Sequence, residues 1–423
     1  MAAVEGTGTF APVWRGGFGR LWTAAVVSRF GDALRGVALP LLATSLTSRP
    51  LLIASVTACG YLPWIVFGLL GGAVADRVDQ RRAMWTVDAV RGLLVAVFAV
   101  AVALGHASIA LLIALAFVLT TLQTLFDNAS TALLPALVDH EALGRANARL
   151  MTGQQIAGGL IGAPVVPLLI AAGAAVPFAA DAGTFLLAAA LVASLQRTEA
   201  PERTPRPAGS TLRREIADGL RTLWHDRALR GLCTATALCN IGMGALIATL
   251  VILVTGWLDA GTAGYAVVTT AYAVGGLAGG VVNGRIATRF GPTRTVILAG
   301  LVQIAALVVL GSVRSLAVTA TALAVFGFMG MVWNVNTTTL MQQRAPSDML
   351  GRVSSAFRTL AVAGAPVGAL LGGAVATAWG PNMPALLTAA FFVLSVLALI
   401  PARKRDVPVV APGDDATTAH APR

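Results

Sequence analysis

The sequence predicts an all-α membrane protein of twelve transmembrane helices in two pseudo-symmetric six-helix bundles. Three observations carry that prediction. The chain is 57% hydrophobic and only 12% charged. A soluble globular protein carries about 25% charged residues, so most of this surface must face lipid. Apolar runs of the length that crosses a bilayer as a helix, about 20 residues, recur twelve times between short polar breaks. Sequence motifs of the first half also return in the same order 202–212 residues later.

Span 1 covers 19–44. Residues 1–20 lack an apolar core and hold Arg15 and Arg20, so span 1 is expected to act as an uncleaved signal anchor. Spans 2 to 6 follow at 51–75, 83–104, 108–138, 148–171 and 176–196. The segment 197–228 is polar and Pro-rich. Its first part is expected to be a flexible linker. From Ser210 a helix is expected, because Leu212, Ile216, Leu220 and Leu223 recur at helical spacing with Arg213, Arg214, Asp218 and Arg221 on other faces. That pattern suits a helix lying on the inner membrane surface. Spans 7 to 12 occupy 229–256, 263–287, 293–311, 316–343, 353–378 and 382–401. Runs longer than 25 residues leave room for tilt. The organisation is therefore an N-terminal bundle (1–196), a linker with its amphipathic helix (197–228), a C-terminal bundle (229–402) and a disordered cytoplasmic tail (403–423).

Charge sets the orientation. The loops 45–50, 105–107, 172–175, 257–262, 312–315 and 379–381 contribute only Arg49 and Arg314. The alternate loops and both termini hold most of the other basic residues. By the positive-inside bias both termini are cytoplasmic and the protein sits in the inner (plasma) membrane. The same distribution accounts for the net charge of +11 without a nucleic-acid partner. Cys59, Cys233 and Cys239 lie in apolar runs without metal-ligand spacing, as packing residues do. His106, His140, His225 and His420 fall in separate loops and form no metal or nucleophile cluster. No enzyme activity, metal or cofactor is expected.

The repeats stand at corresponding helix boundaries. GAVADRVDQRR (72–82) is matched by GRIATRFGPTR (284–294). DNAST (127–131) with LGRAN (143–147) is matched by VNTTT (335–339) with LGRVS (350–354), and GAPV occurs at 162–165 and 364–367. Internal repeats of this kind mark transporter folds whose substrate site lies between the halves near the midplane.

Gly72 to Arg82 resembles the signature loop of the major facilitator superfamily, G-x-L-A-D-R-x-G-R-R, with Val74 in place of Leu and Asp79 in place of the second Gly. The second copy has Thr288 where the acid stands. SRFGDALRGVALPL in span 1, the DNAST…LLPALV…LGRANA segment and the helix 210–232 resemble a subgroup that includes macrolide-efflux and enterobactin-exporter proteins. The resemblance implies the major facilitator fold and export, commonly by exchange for protons, and leaves the cargo unnamed. It also implies a gating latch in which Asp127 pairs with Arg77 or Arg81 while Asp76 faces the N-terminus of span 11. The antiporter pattern of helix 5 is degenerate: Gly158, Gly159 and Gly162 are present, Ala163 separates Gly162 from Pro164, and Pro167 stands where Gly is expected. Close helix packing through small residues is the better account of those glycines, and antiport by this motif is only suggested.

Charges within spans are functional candidates, because each costs at least about 2.5–3.5 kcal/mol to insert. Arg29, Asp32 and Arg35 share span 1 at spacing that puts each Arg beside the Asp. Asp32 lies 11 residues past Leu21, about 16 Å deep at 1.5 Å per residue. Asp32 is the candidate proton-coupling residue, and a fixed ion-pair role stands beside that reading. Arg29 and Arg35 are candidates for receiving an anionic group of the cargo. Asp88 and Arg91 in span 3 are expected to neutralise each other, and Asp181 is expected to be wetted from outside. In the family architecture helices 1, 4, 7 and 10 surround the cavity, which nominates Gln123, Phe126, Asn240, Met243, Trp333, Asn334 and Asn336 as substrate-binding residues. Large apolar side chains, adaptable Met and a few amides suit a bulky amphiphile.

The expected function is secondary active export of a small amphiphilic drug-like or natural-product molecule. Proton antiport with alternating access would drive it, with the lipid bilayer, the cargo and the proton as partners of a monomer. An exporter of an anionic siderophore is the alternative. A non-transporting sensor or scaffold would need a sizeable soluble module, and the longest polar segment is the 32-residue stretch 197–228.

Overall fold

The computed structural model describes residues 17–75, 79–133, 138, 143–195, 212–346 and 349–399. Among them the chain is helical throughout, with no strand. Helices α1 (Phe18–Leu46), α2 (Pro50–Ala75), α3 (Gln80–Ala103) and α4 (Ile109–Leu133) come first. Next is a rod built of α5 (Leu143–Gln155), a π-helical segment (Ile156–Gly162) and α6 (Ala163–Ala172). Then come α7 (Val176–Ala193), α8 (Leu212–His225) and α9 (Arg227–Ile252), the last extended by a π-helical turn at Leu253–Trp257. The remaining helices are α10 (Gly261–Phe290), α11 (Pro292–Ser312), α12 (Leu316–Arg344), α13 (Leu350–Trp379) and α14 (Met383–Leu399). The linker before Leu212 and the tail after Leu399 lie outside the described residues.

Nine helices among the described residues are long and apolar enough to cross a membrane. Pro50–Ile65 and Met383–Leu399 are apolar but shorter. Every 18-residue stretch of α1 contains all three of Arg29, Asp32 and Arg35, which sets that helix apart from the rest.

Local signals explain the helix ends. Asp79, one of the two residues that depart from the signature loop, caps α3 by accepting from the Arg82 N–H at 3.0 Å. Asp226 caps α9 by accepting from Ala228 and Leu229 N–H at 2.7 and 2.8 Å. Gly291 turns the chain from α10 into α11 at φ 75°, a conformation that glycine adopts without steric cost, and Pro292 opens the next helix.

The packing repeats. In the first half α1 packs on α7 and on the α5–α6 rod, α3 on α7 and α4, and α2 on α4. In the second half α9 packs on α14 and α13, α11 on α14 and α12, and α10 on α12. Moving each span of the first set to its counterpart six spans later turns one list into the other. The halves meet chiefly along two seams that exchange under the same operation, α2 with α13 and the α5–α6 rod with α10, and α2 also packs on α9. At the first seam Leu51 and Ala54, at the start of α2, face Gly373 near the end of α13. At the second, Gly159 faces Ala273. The expectation that α8 lies on the membrane surface changes here. Leu223 is fully buried, Leu220 packs against the main core, and Gly219 lets α8 press onto the Arg352 backbone of α13. At Leu220 and Leu223 that apolar face covers protein, while Arg221 and Trp224 remain exposed.

Candidate functional site

Five charged side chains from three helices form one chain of ion pairs. Asp32 on α1 sits at its centre, with Oδ1 accepting from Arg35 Nη2 at 2.5 Å and from Arg91 Nη2 at 2.7 Å. Arg35 extends the chain to Asp181 on α7 at 3.2 Å, and Arg91 extends it to Asp88 on α3 at 3.3 Å. Asp88, Arg91 and Asp181 are fully buried, while the Asp32 and Arg35 side chains keep 11% and 15% exposure. The Phe185 ring of α7 flanks both cations, with the Arg91 guanidinium 3.9 Å and that of Arg35 5.7 Å from its centroid. Gly31 makes room for this closure, because a Cβ there would fall on the Asp181 and Thr184 side chains.

Two expectations change. Asp88 and Arg91 do not close on each other alone; Arg91 also holds Asp32. Asp181 is not wetted. It lies in the second turn of α7 (Val176–Ala193), where α1 and α3 pack along that helix, and Phe178 one turn before it meets Phe98 edge-on at 4.9 Å.

A cavity of about 320 Å³ lies against Asp32, at the centre of this chain. Arg29, Asp32 and Gly36 of α1 form one wall, Gln154, Gln155, Gly158 and Gly159 a second, and Thr269 of α10 reaches in from the other half. Gly158 lies alongside the Arg29 side chain, and a Cβ there would sit 3.6 Å from Arg29 Nε. The π-helical segment at this wall precedes Pro164 and Pro167, whose missing N–H groups interrupt regular α-helical bonding. The cavity thus spans the seam between the repeated halves, and spans 1, 5 and 8 line it rather than spans 1, 4, 7 and 10. Gln154, Gln155 and Thr269 were not singled out beforehand. The adjacent amides entering an apolar run were the available signal.

The other predicted residues are distributed as follows. Arg29 is exposed toward the cavity and makes no ion pair with Asp32, Asp88 or Asp181. Gln123 donates to Asp127 at 2.7 Å, one turn along α4. Phe126 is 4% exposed in a core cluster with Phe18 and Met84, so it fills interhelical space and does not line this cavity. Trp333 is likewise buried, with its ring against Gly300 of α11. Asn336 is buried too and donates to Asn283 Oδ1 of α10 at 2.6 Å. Asn240 donates to the Thr236 carbonyl at 2.9 Å, Met243 packs against the main core, and Asn334 is exposed. Arg81 caps the end of α7, donating through Nε to the Val192 carbonyl at 3.3 Å and through Nη2 to that of Ala193. Asp76 and Arg77 lie outside the described residues. Among the described residues no group of three or more His, Cys, Asp or Glu could hold a metal ion.

Repeated helical halves, apolar spans and a polar cavity on their seam define a multi-pass membrane protein with a transporter fold. The sequence profile of the Major Facilitator Superfamily matches residues 21–365. The chain belongs to that family. It is 26% identical over 403 residues to the multidrug efflux pump Tap of Mycolicibacterium fortuitum, covering 91% of this chain and 95% of the relative. It is 25% identical over 360 residues to the enterobactin exporter EntS of Shigella boydii, covering 84% of each. The crystal structure of the nucleoside transporter NupG superposes with a TM-score of 0.70 at 11% identity, covering 91% of this chain and 99% of that one. At that identity the likeness concerns the fold alone.

Proposed function

We propose that the protein is a secondary active transporter that exports a small amphiphilic molecule by proton antiport with alternating access. The observation that carries this reading is the buried ion-pair chain opening, through Asp32, onto a cavity bounded by both halves. Burying five charges is costly and is retained where charge is used. Cavities of about 300–1,000 Å³ take small molecules, and this one falls in that range. The efflux pump and siderophore exporter among the relatives favour the outward direction. In this reading the chain crosses the inner membrane twelve times with both termini in the cytoplasm, works as a monomer, and divides into bundles 1–196 and 229–402. Asp76, Arg77, Arg81 and Asp127 would serve the gate between them. Export of an anionic siderophore is the second reading. It is favoured by Arg29, which faces the cavity outside the ion-pair chain.

The test is reconstitution in liposomes under an imposed proton gradient, with candidate cargoes screened against wild type and Asp32→Asn. Gradient-driven flux of a cargo in wild type and its loss in the variant are expected. Flux unchanged in Asp32→Asn would reject this chain as the coupling centre, and flux indifferent to the gradient for every cargo would reject antiport.

A further inference from the structure

We infer that the ion-pair chain binds one proton, and that its seat is an outer carboxyl, Asp181 or Asp88, while the central Asp32 stays ionised. Three carboxyls meet two guanidiniums, so the fully ionised chain carries one surplus negative charge out of water. The neighbouring groups leave that surplus in place. Arg29 on α1 and Asp127 on α4 add one charge of each sign, while α7 contributes only Asp181 and α3 only Asp88 and Arg91 to the buried set. An uncompensated charge in a low-dielectric interior is relieved by taking up a proton.

Geometry selects the seat. Asp32 receives two short charge-assisted bonds on one oxygen, the arrangement that holds a carboxylate in its ionised form. Asp181 and Asp88 each receive one long bond. Each also keeps a buried oxygen, Asp181 Oδ1 and Asp88 Oδ2, that accepts no hydrogen bond. A proton placed on either oxygen removes the surplus charge and leaves the hydrogen bond from the Arg to the other oxygen in place. Asp181 is two ion pairs from the cavity, through Arg35 and then Asp32; Asp88 is two away as well, through the fully buried Arg91 and then Asp32. The event is a simple protonation, carboxylate plus proton giving carboxylic acid, with Asp32 and the two Arg side chains reporting it to the cavity. This inference deepens the antiport reading and rests on it for its use in transport, but the seat can be tested without any cargo.

Infrared difference spectroscopy of the purified protein across a pH titration reads the C=O stretch of a protonated carboxyl. Wild type is expected to show one such band, shifted in position by Asp181→Glu or Asp88→Glu and left in place by Asp32→Glu. A band that moves only with Asp32→Glu, or the absence of any such band in wild type, would overturn the proposal. A second measurement needs no variant: dicyclohexylcarbodiimide adds to protonated carboxyls in apolar surroundings. Peptide mapping is expected to find the adduct on Asp181 or Asp88, and an adduct on Asp32 would refute the assignment. If the band shifts as expected while the proton gradient drives no flux, the antiport reading fails and the seat stands.

Discussion

Arg91 shows how a residue read correctly in isolation acquires a larger role. Its spacing from Asp88 pointed to a local pair, and that pair exists. What spacing does not reveal is the second carboxylate, supplied by a helix 59 positions away in sequence. Arg91→Ala removes the partner of two buried acids at once. It is expected to cost about 3–5 kcal/mol, the cost of breaking a buried pair, read as a lower thermal unfolding midpoint of the purified protein. Arg91→Lys should recover little of this, because a single ammonium lacks the planar fork that reaches two carboxylates. Two glycines on α1 give a matched comparison. A side chain at Gly31 would collide with Asp181 and Thr184, whereas nothing lies within 4 Å of a Cβ at Gly36. Gly31→Ala is therefore expected to destabilise by about 1–3 kcal/mol and Gly36→Ala to be near neutral. Equal losses in a side-by-side unfolding measurement would show that closure of α1 on α7 does not depend on that gap.

Helices in a lipid-facing bundle gain little from apolar burial against each other, so small residues and interhelical hydrogen bonds set their contacts. Gly244 and Gly368 bring α9 and α13 into backbone contact, at Ala365 and Ile241 respectively. Gly275, Gly279 and Gly327 do the same for α10 and α12. Asn336 adds a polar tie between α12 and α10 by donating to Asn283. Asn336→Ala is expected to cost about 0.6–2 kcal/mol in thermal unfolding, with no loss of gradient-driven flux that exceeds the loss of folded protein. A selective loss of flux would return Asn336 to the cargo site. The π-helical segment at Ile156–Gly162 marks a limit of legibility at this scale. The glycines and prolines of helix 5 were visible as a degenerate pattern, but what those glycines face was not. Ala273 leaves no room for a side chain at Gly159, nor Ala33 at Gly162, while Arg29 lies in ordinary contact range of Gly158.

At the scale of the molecule, two seams hold the halves together, and one of them joins the start of α2 to the end of α13. Alternating access requires such a contact to open. With Cys59, Cys233 and Cys239 replaced, an Ala54→Cys, Gly373→Cys pair is expected to form a disulfide on oxidation, since those two positions face each other. Oxidised protein should lose at least tenfold in transport rate, the equivalent of about 1.4 kcal/mol or more on the barrier, and reductant should restore it. Undiminished flux through the oxidised, cross-linked protein would mean that this seam does not move.

The sequence alone determined that this is a helical membrane protein with duplicated halves and that α1 carries charge deep within it. Those properties add up along the chain: apolar length, loop charge and ordered repeats need no knowledge of neighbours. The tertiary structure decided which charges meet. Asp181, which looked like a wetted end residue, became the buried partner of Arg35, 146 positions away. Phe126, Trp333 and Asn336 became packing, and Gln154, Gln155 and Thr269 became cavity wall. Which face of a helix meets lipid, a neighbour or the cavity depends on how the helices are rotated and paired. In chains this uniformly apolar, hydropathy carries almost no record of that choice, because lipid-facing and helix-facing positions are made of the same side chains.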